Sequence, residues 1–266
     1  MPEMKSIKIE ATLLGTGTSQ GVPVIACDCE VCQSKNVKDK RLRSSLLIVV
    51  NGMNIVIDAG PDFRQQMLRE NVTSLRAILL THEHADHIFG LDDIRSFNWL
   101  QKRATDIYAE PRVQEDIRRI FDYVFANFKY PGIPSMKLHT IGKRAFRIDG
   151  VRFIPIRCFH HKLPVLGFRV GDLTYITDTN YIPQNEMQKI RGTRILILNA
   201  LRKEKHISHF NLEEALEVIK EIKPERAYLT HLSHSFGKHE DIEKVLPENV
   251  FVGYDGMKII VDGLNY

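Results

Sequence analysis

Four potential metal ligands stand within six positions of the segment "THEHADH" (residues 81–87): His82, His84, Asp86 and His87. Histidine and aspartate rarely fill a protein core, so the cluster indicates a functional role. In an extended chain, residues two apart point the same way, so His82 and His84 can converge on one ion while Glu83 points elsewhere. Asp86 and His87 stand in the following turn and face a second point nearby. The spacing predicts a two-metal site that suits zinc, manganese or iron.

Polar residues that close other apolar runs can complete this site. Asp178 closes "LTYITD" and is the natural carboxylate to bridge two ions. His231 closes "RAYLTH" and can complete one ion, while a histidine of "CFHHKL", either His160 or His161, can complete the other. Asp58 closes "NIVID", and we expect its carboxylate to orient neighbouring ligands by hydrogen bonds rather than to bind metal directly.

A second cluster consists of thiols. Cys27, Cys29 and Cys32 have the spacing Cys-x-Cys-x-x-Cys, which predicts a thiolate clamp for a structural zinc ion. Three thiolates leave one tetrahedral position open. A redox-active thiol cluster and a loop without metal are the alternative interpretations. Cys158 has no partner close to it in sequence and is interpreted as a small buried hydrophobe.

The elements that carry these ligands alternate between strands and helices. The runs rich in isoleucine, leucine and valine suit strands buried on both faces, and Asn51-Gly52 predicts a hairpin turn between two of them. Helical patterns lie at "DDIRSFNWLQK", "QEDIRRIFDYVFANF" and "NLEEALEVIKEIK", the last with Asn211 and Glu214 at capping-box spacing. Polar residues at the ends of several strands predict an α/β sandwich with its site along one sheet edge.

The chain of 266 residues is long enough to bury a substantial core. The strand pattern before about residue 140 resembles the pattern after it, so we predict a single domain over residues 1–266. This domain would consist of two similar halves that divide near residues 140–150 and share one site.

Composition and local sequence patterns argue against nucleic-acid, membrane, secreted and nucleotide-binding proteins. A net charge of +4 with basic residues spread along the chain does not favour a nucleic-acid partner, and "KNVKDKRLR" is interpreted as a solvated loop. No window approaches the roughly 20 apolar residues of a membrane span, and "MPEMKSIKIE" lacks the apolar stretch of a secretory signal. "GTGTSQG" lacks nucleotide-loop spacing and is interpreted as a tight turn at the rim of the site. We expect a cytoplasmic protein.

The motifs together resemble one family over nearly the whole chain. "LLGTGTSQGVPV", "CDCEVC", "THEHADH", "HHKLPVLGF", "HFNLEEAL", "LTHLSH" and "GYDGMKI" are similar to the metallo-β-lactamase superfamily, and within it to the PhnP-type phosphoribosyl cyclic phosphodiesterases. The resemblance implies a four-layer αββα sandwich. It implies one ion on His82, His84 and His160, the other on Asp86, His87 and His231, and Asp178 between them. Asp86 is also counted among the catalytic residues, and the motif favours His160 over His161.

The resemblance also implies the last ligand of the structural zinc and a possible proton donor. It implies His234 as the fourth ligand of the structural zinc, beside two catalytic divalent ions, zinc or manganese. His209 matches the family's additional active-site histidine, which can protonate a departing sugar oxygen or contact the phosphate. The alternative for His209 is a surface histidine that flanks a helix. The resemblance further suggests a homodimer.

The implied activity is hydrolysis of a small cyclic phosphodiester, such as phosphoribosyl 1,2-cyclic phosphate, by a hydroxide held between two metals. One alternative is tRNA 3′-processing endonuclease activity, which needs a protruding basic arm that no Gly/Pro/Lys-rich insertion supplies here. Another is glyoxalase-type thioester hydrolysis, which does not explain the thiols. A non-catalytic zinc-binding or redox-sensing module would bind about one metal per chain, whereas the enzyme would bind about three.

Overall fold

Two seven-stranded sheets form the centre of the computed structural model, which describes residues 7–128 and 130–264. In spatial order, the first sheet contains β14 (Lys258–Leu264), β1 (Ile7–Gly15), β2 (Ser45–Val50), β3 (Met53–Ile57), β4 (Ala77–Leu79), β5 (Thr105–Ala109) and β6 (Met136–Thr140). The second contains β13 (Val250–Val252), β12 (Arg226–Thr230), β11 (Ile195–Asn199), β10 (Leu173–Ile176), β9 (Leu163–Val170), β8 (Val151–His160) and β7 (Phe146–Ile148). Strands β3 to β6 run parallel, as do β10 to β13.

Helices cover the outer faces of both sheets. They are α1 (Phe63–Arg69), α2 (Ala85–Ile88), α3 (Arg95–Gln101), α4 (Pro111–Ile120), α5 (Asp122–Phe125), α6 (Gln184–Ile190), α7 (Leu212–Ile222) and α8 (His239–Glu243). One apolar cluster joins the inner faces of the two sheets, and two others join each sheet to its own helices. These layers confirm the predicted αββα sandwich.

The buried strands explain why their sequences are apolar without alternation. In β11, Ile195 and Ile197 enter the core between the sheets, whereas Leu196 and Leu198 pack towards the helices. A strand in such a position needs apolar side chains on both faces. The predicted hairpin turn between β2 and β3 is confirmed, because Asn51 (φ 51°) and Gly52 (φ 73°) both take the left-handed conformation that a type I′ turn requires.

The structure confirms one predicted helix start and corrects the bounds of another helix. The capping box of α7 is confirmed, since the Asn211 side chain accepts from the backbone of Glu214 and the Glu214 side chain accepts from that of Asn211. The single helix predicted over residues 114–128 is wrong: the helical segment begins at Pro111 and is interrupted at Phe121 (φ −108°, ψ 45°). Phe121 is buried in the apolar layer beneath the first sheet, and its packing there outweighs helix propensity.

The two halves of the chain form the two sheets, except that the last strand belongs to the first sheet. Strands β1 to β6 belong to the first sheet and β7 to β13 to the second, but β14 returns to pair with β1. Residues 1–6, for which we predict no secretory signal, and the last two residues of the predicted domain lie outside the described part. In the described part, no helix combines the length and apolar character needed to traverse a lipid bilayer.

Candidate active site

The site lies where parallel strands end. Asp58 follows β3, Asp178 follows β10 and His231 follows β12. All three have positive φ, at 64°, 51° and 57° respectively. This left-handed conformation is unfavourable for residues other than glycine and is concentrated at functional sites. It turns the chain sharply out of each strand, and each side chain is almost fully buried.

Asp178 lies at the centre of the cluster. Its Oδ2 is 3.1 Å from His87 Nε2 and 3.1 Å from His231 Nδ1, and its Oδ1 is 3.3 Å from His209 Nε2. Asp178 belongs to three sets whose ligand atoms lie within 4.8 Å of one another. Its partners in these sets are His82 with His87, Asp86 with His231, and His160 with His209. A carboxylate shared by these three sets is consistent with the bridging ligand that the sequence predicts.

His84 stands slightly apart from these sets. Its ring centroid is 4.5 Å from that of His82 and 5.2 Å from that of His160, and its side chain is exposed at the start of α2. The structure therefore brings all seven predicted ligands to one location. The assignment of each ligand to a particular ion stays a prediction.

The Asp58 carboxylate orients two of the imidazoles. Its Oδ2 accepts from His87 Nδ1 at 2.7 Å and from the Thr81 hydroxyl at 2.8 Å, while its Oδ1 accepts from the Thr81 backbone at 2.8 Å. Since the Thr81 hydroxyl donates to Asp58, it must accept from His82 Nδ1, which is 2.9 Å away. Gly60 allows this arrangement, because a Cβ there would lie 1.9 Å from the Asp86 carbonyl oxygen.

The orientation of the rings suits divalent cations. The Nδ1 atoms of His82 and His87 are engaged, and the buried Nε2 of His82 has no hydrogen-bond partner. The Nε2 of His87 makes no hydrogen bond of good geometry, although Asp86 Oδ2 and Asp178 Oδ2 each lie 3.1 Å from it. His160 also donates through Nδ1, to the Ser208 carbonyl oxygen at 2.9 Å. Leaving a buried polar atom unsatisfied costs about 1–3 kcal/mol, and metal-binding histidines usually use one nitrogen while the other donates to a neighbour. These residues fit the two predicted ions.

Burial and neighbouring charges shift the pKa values of several side chains in the cluster. Burial lowers the pKa of His82 well below its usual value. Burial also opposes charge on His87, but Asp178, Asp86 and Asp58 outweigh it and raise the pKa of that ring well above its usual value. Burial would raise the pKa of Asp178, yet His231 and His87 hold it well below the usual range. Asp178 thus stays ionised in a buried setting that attracts cations, whereas burial raises the pKa of Asp58.

The structure also locates three other features that the sequence analysis interpreted: the histidine pair at 160–161, Glu83 and the glycine loop. His160 enters the cluster, whereas His161 is exposed and adopts φ 57° in the turn between β8 and β9, which supports the choice of His160. Glu83 points away from the site and pairs with Arg112 at the start of α4. The glycine loop lies at the rim, where the Thr18 hydroxyl is 3.4 Å from His231 Nε2.

His209 has a partner that sequence reasoning missed. The His209 ring stacks on that of His231 with centroids 5.1 Å apart, and its Nδ1 lies 3.1 Å from His206 Nδ1 and 3.1 Å from the Ser208 hydroxyl oxygen. Only the spacing His-x-x-His just before α7 signals this contact in the sequence.

The thiol cluster is close to the dimensions of a tetrahedral zinc site, with two of its three distances to His234 slightly short. The Sγ atoms of Cys27, Cys29 and Cys32 lie 3.2, 3.4 and 3.7 Å from His234 Nδ1. Ligands at about 2.0–2.3 Å from a tetrahedral zinc ion would be separated by roughly 3.5–3.8 Å. The structure therefore places His234 beside the three thiols, and the donor set fits zinc. Cys158 is fully buried and distant in the fold, among apolar side chains beneath the second sheet.

Comparison with known proteins identifies the family. The sequence profile of the Beta-lactamase superfamily domain matches residues 53–232. A crystal structure described as a new diphosphatase from the PhnP family has a TM-score of 0.92 and 35% sequence identity, and covers 98% of this chain and 100% of its own. The chain belongs to the metallo-β-lactamase superfamily and, within it, to the PhnP family. This membership agrees with the family resemblance of the sequence motifs.

Two curated relatives extend this comparison. An octanoyltransferase from Porphyromonas gingivalis is 42% identical over 253 residues, which cover 94% of this chain and 51% of the relative. A ribonuclease Z from Cyanothece sp. is 29% identical over 160 residues, which cover 59% of this chain and 45% of the relative. This PhnP-family chain therefore spans about half the length of the curated relatives it matches.

Proposed function

We propose that the protein hydrolyses a small cyclic phosphodiester, such as phosphoribosyl 1,2-cyclic phosphate. The observation that carries the proposal is the position of Asp178. Its carboxylate belongs to three sets of potential ligands, and His209 Nε2 lies 3.3 Å from its Oδ1. A ring that can carry a proton thus stands beside the atoms predicted to hold both ions. This combination suits a reaction that needs both charge stabilisation and protonation of a leaving group.

The predicted cofactors are two catalytic divalent ions and one structural zinc ion. When bound, the catalytic pair would activate a water molecule and offset the negative charge that builds on the phosphoryl oxygens. Their proposed ligands are His82, His84, Asp86, His87, His160, Asp178 and His231. The proposed ligands of the structural ion are Cys27, Cys29, Cys32 and His234.

The chain's own residues supply orientation and the proton. Asp58 holds His87 directly and His82 through Thr81, so that both rings direct Nε2 inward. His209 delivers a proton to the departing ribose oxygen, because an alkoxide is a poor leaving group. The proposed partner is a small molecule, and the suggested homodimer stays a prediction.

A second candidate is hydrolysis of a diphosphate bond. The PhnP-family structure that matches the whole chain at 35% identity is described as a diphosphatase. Cleavage of a diphosphate expels a phosphate group, which leaves readily without a proton. The two candidates therefore place different demands on His209.

A substrate panel tests the proposal. We expect the purified protein to give its highest kcat/KM with ribose 1,2-cyclic phosphate, compared with cyclic nucleotides, an aryl phosphodiester, a diphosphate ester, precursor tRNA and octanoyl and glutathione thioesters. A preference for the diphosphate ester would favour the second candidate. A preference for precursor tRNA or for a thioester would contradict the proposed phosphodiester specificity.

Replacing His209 by alanine should slow the two kinds of phosphodiester unequally. General acid catalysis typically contributes about 10²–10⁴-fold when the leaving group needs a proton. We expect a loss of this size in kcat/KM for cyclic ribose phosphate, and little loss for an aryl ester, which expels a stable phenolate. The measurement is the ratio of wild type to variant for each substrate, at equal metal content.

The two ratios distinguish the possible roles of His209. Equal losses with both substrates would remove the acid role and indicate phosphate binding. Ratios near one for both would mean that His209 is a structural residue. Glu213→Ala, in the first turn of the adjacent helix α7, is a control that should leave both ratios near one.

A further inference from the structure

We infer that His206 is a positioning residue that fixes the tautomer of His209 by accepting a hydrogen bond from its Nδ1. This inference rests on the proposed role of His209 as general acid. His206 is half-buried in the loop between β11 and α7, three residues before His209.

The backbone determines which nitrogen of His206 is the acceptor. The Ser208 backbone N–H donates to His206 Nδ1 at 3.3 Å. Because an N–H group can only donate, His206 Nδ1 carries a lone pair and any proton of the neutral ring is on Nε2. The side chain of His206 is thereby held in the loop, and the single lone pair of its Nδ1 would be shared between the Ser208 N–H and a proton on His209 Nδ1.

The tautomer of His209 follows from this geometry. The two Nδ1 atoms lie 3.1 Å apart, and two lone pairs facing each other at this distance would repel. His209 Nδ1 must therefore carry a proton. The Ser208 hydroxyl is 3.1 Å from His209 Nδ1 and 3.2 Å from His206 Nδ1, so it can accept from the first ring and donate to the second. Both routes require the same protonated Nδ1.

The remaining nitrogen of His209 then serves the site. Its Nε2 is the atom 3.3 Å from Asp178 Oδ1. The transferable proton is therefore a second one, bound at Nε2 in the imidazolium form of the ring, and its transfer to the leaving oxygen leaves the neutral ring with its proton on Nδ1. The ring is confined by His160, with centroids 4.4 Å apart at 69°, and by His231, at 5.1 Å and 14°. These contacts restrict the ring plane, but they do not distinguish the ring from its flipped orientation. The hydrogen bond to His206 makes that distinction, since a flip would direct a C–H group at His206 Nδ1.

The test compares two substitutions of His206 on two substrates. Asparagine can place its side-chain oxygen where His206 has Nδ1, but it does not exchange protons near neutral pH, whereas alanine offers no acceptor. Loss of a residue that orients a catalytic group typically costs about 10–100-fold in activity. We expect His206→Ala to lower kcat for cyclic ribose phosphate by about this factor with KM little changed, and to leave aryl ester hydrolysis near wild type. His206→Asn should recover most of the loss.

Controls separate this effect from damage to the loop. Lys205→Ala changes the exposed neighbouring side chain and should match wild type for both substrates. Metal content and melting temperature are measured for every variant. Equal slowing of both substrates by His206→Ala would overturn the inference, and so would an asparagine variant as slow as the alanine variant, which would indicate a proton relay instead.

The His209→Ala variant shows which proposal fails. If it slows the cyclic ribose phosphate selectively and His206→Ala does not, then only the role of His206 is wrong. If His209→Ala shows no selectivity, the acid role of His209 and the inference about His206 are both wrong.

Discussion

Replacing Asp178 by alanine is expected to abolish most of the hydrolytic activity while the fold survives. The reason is that one carboxylate adjoins His87, His231 and His209 at 3.1–3.3 Å and belongs to every cluster of predicted ligands around it. A shared carboxylate would bind both predicted ions and set their separation, on which the joint action of a metal pair depends. The strand that precedes it, β10, keeps its place between β9 and β11.

The measurement combines kcat/KM with metal content for Asp178→Ala and Asp178→Asn. Asparagine preserves the shape but removes the charge, so we expect it to be nearly as inactive as alanine. Asp39→Ala is a matched control, because Asp39 is equally buried but receives its hydrogen bonds from Ser34 and the His239 backbone, outside the site. It should lower stability without lowering the turnover of folded molecules. Near-normal turnover with two catalytic ions in Asp178→Ala would refute the bridging role.

The ligands that could be predicted are those with a local signal. His82, His84, Asp86 and His87 fall in one short segment, and their spacing alone indicates metal binding. Asp178, His231 and Asp58 could be predicted because each follows an apolar run. Asp178 and His231 follow parallel strands of the second sheet, which end at the same edge, whereas Asp58 follows β3 of the first sheet. In these cases, hydrophobic patterning fixes the strand, and the strand determines where the next polar residue lies.

Other features depend on contacts through space. The choice between His160 and His161 depends on where β8 ends and the chain turns, because only the last strand residue still faces the cluster. The role of His206 depends on a loop held by hydrogen bonds, such as that from Asn180 to the Ile207 carbonyl, which no periodicity encodes. The break at Phe121 depends on packing beneath the first sheet. Residue spacing carries little information on any of these contacts.

Replacing Cys29 by serine is expected to remove one zinc ion and to lower the melting temperature. The thiol is suited to bind metal, since a hydrogen bond from the Cys32 backbone lowers the pKa of Cys29 to about 6, despite the opposing effect of burial. The clamp connects the loop of residues 27–32 to His234, about 200 positions later, and few apolar side chains pack there to replace it. Structural zinc sites contribute folding free energy directly.

The expected size of the effect follows from this contribution. Each kcal/mol of lost stability lowers the melting temperature by about 2–4 °C in a chain of this size, so the loss of several kcal/mol should be readily measurable. The activity of molecules that remain folded should fall less, because His231 is held independently: the backbone N–H of Leu232 donates to the Thr16 carbonyl at 2.8 Å, and Thr18 donates back to Leu232 at 3.1 Å. Zinc content, thermal melting and kcat are measured on the same preparation.

Cys158→Ser is the matched control for this prediction. It makes the same chemical change at a buried cysteine that lies among apolar side chains, so it should lower stability without changing zinc content. The comparison therefore separates loss of metal from the general cost of burying a hydroxyl. If Cys29→Ser bound as much zinc as wild type, the thiols would not form a structural metal site, and the redox interpretation of the cluster would become the better one.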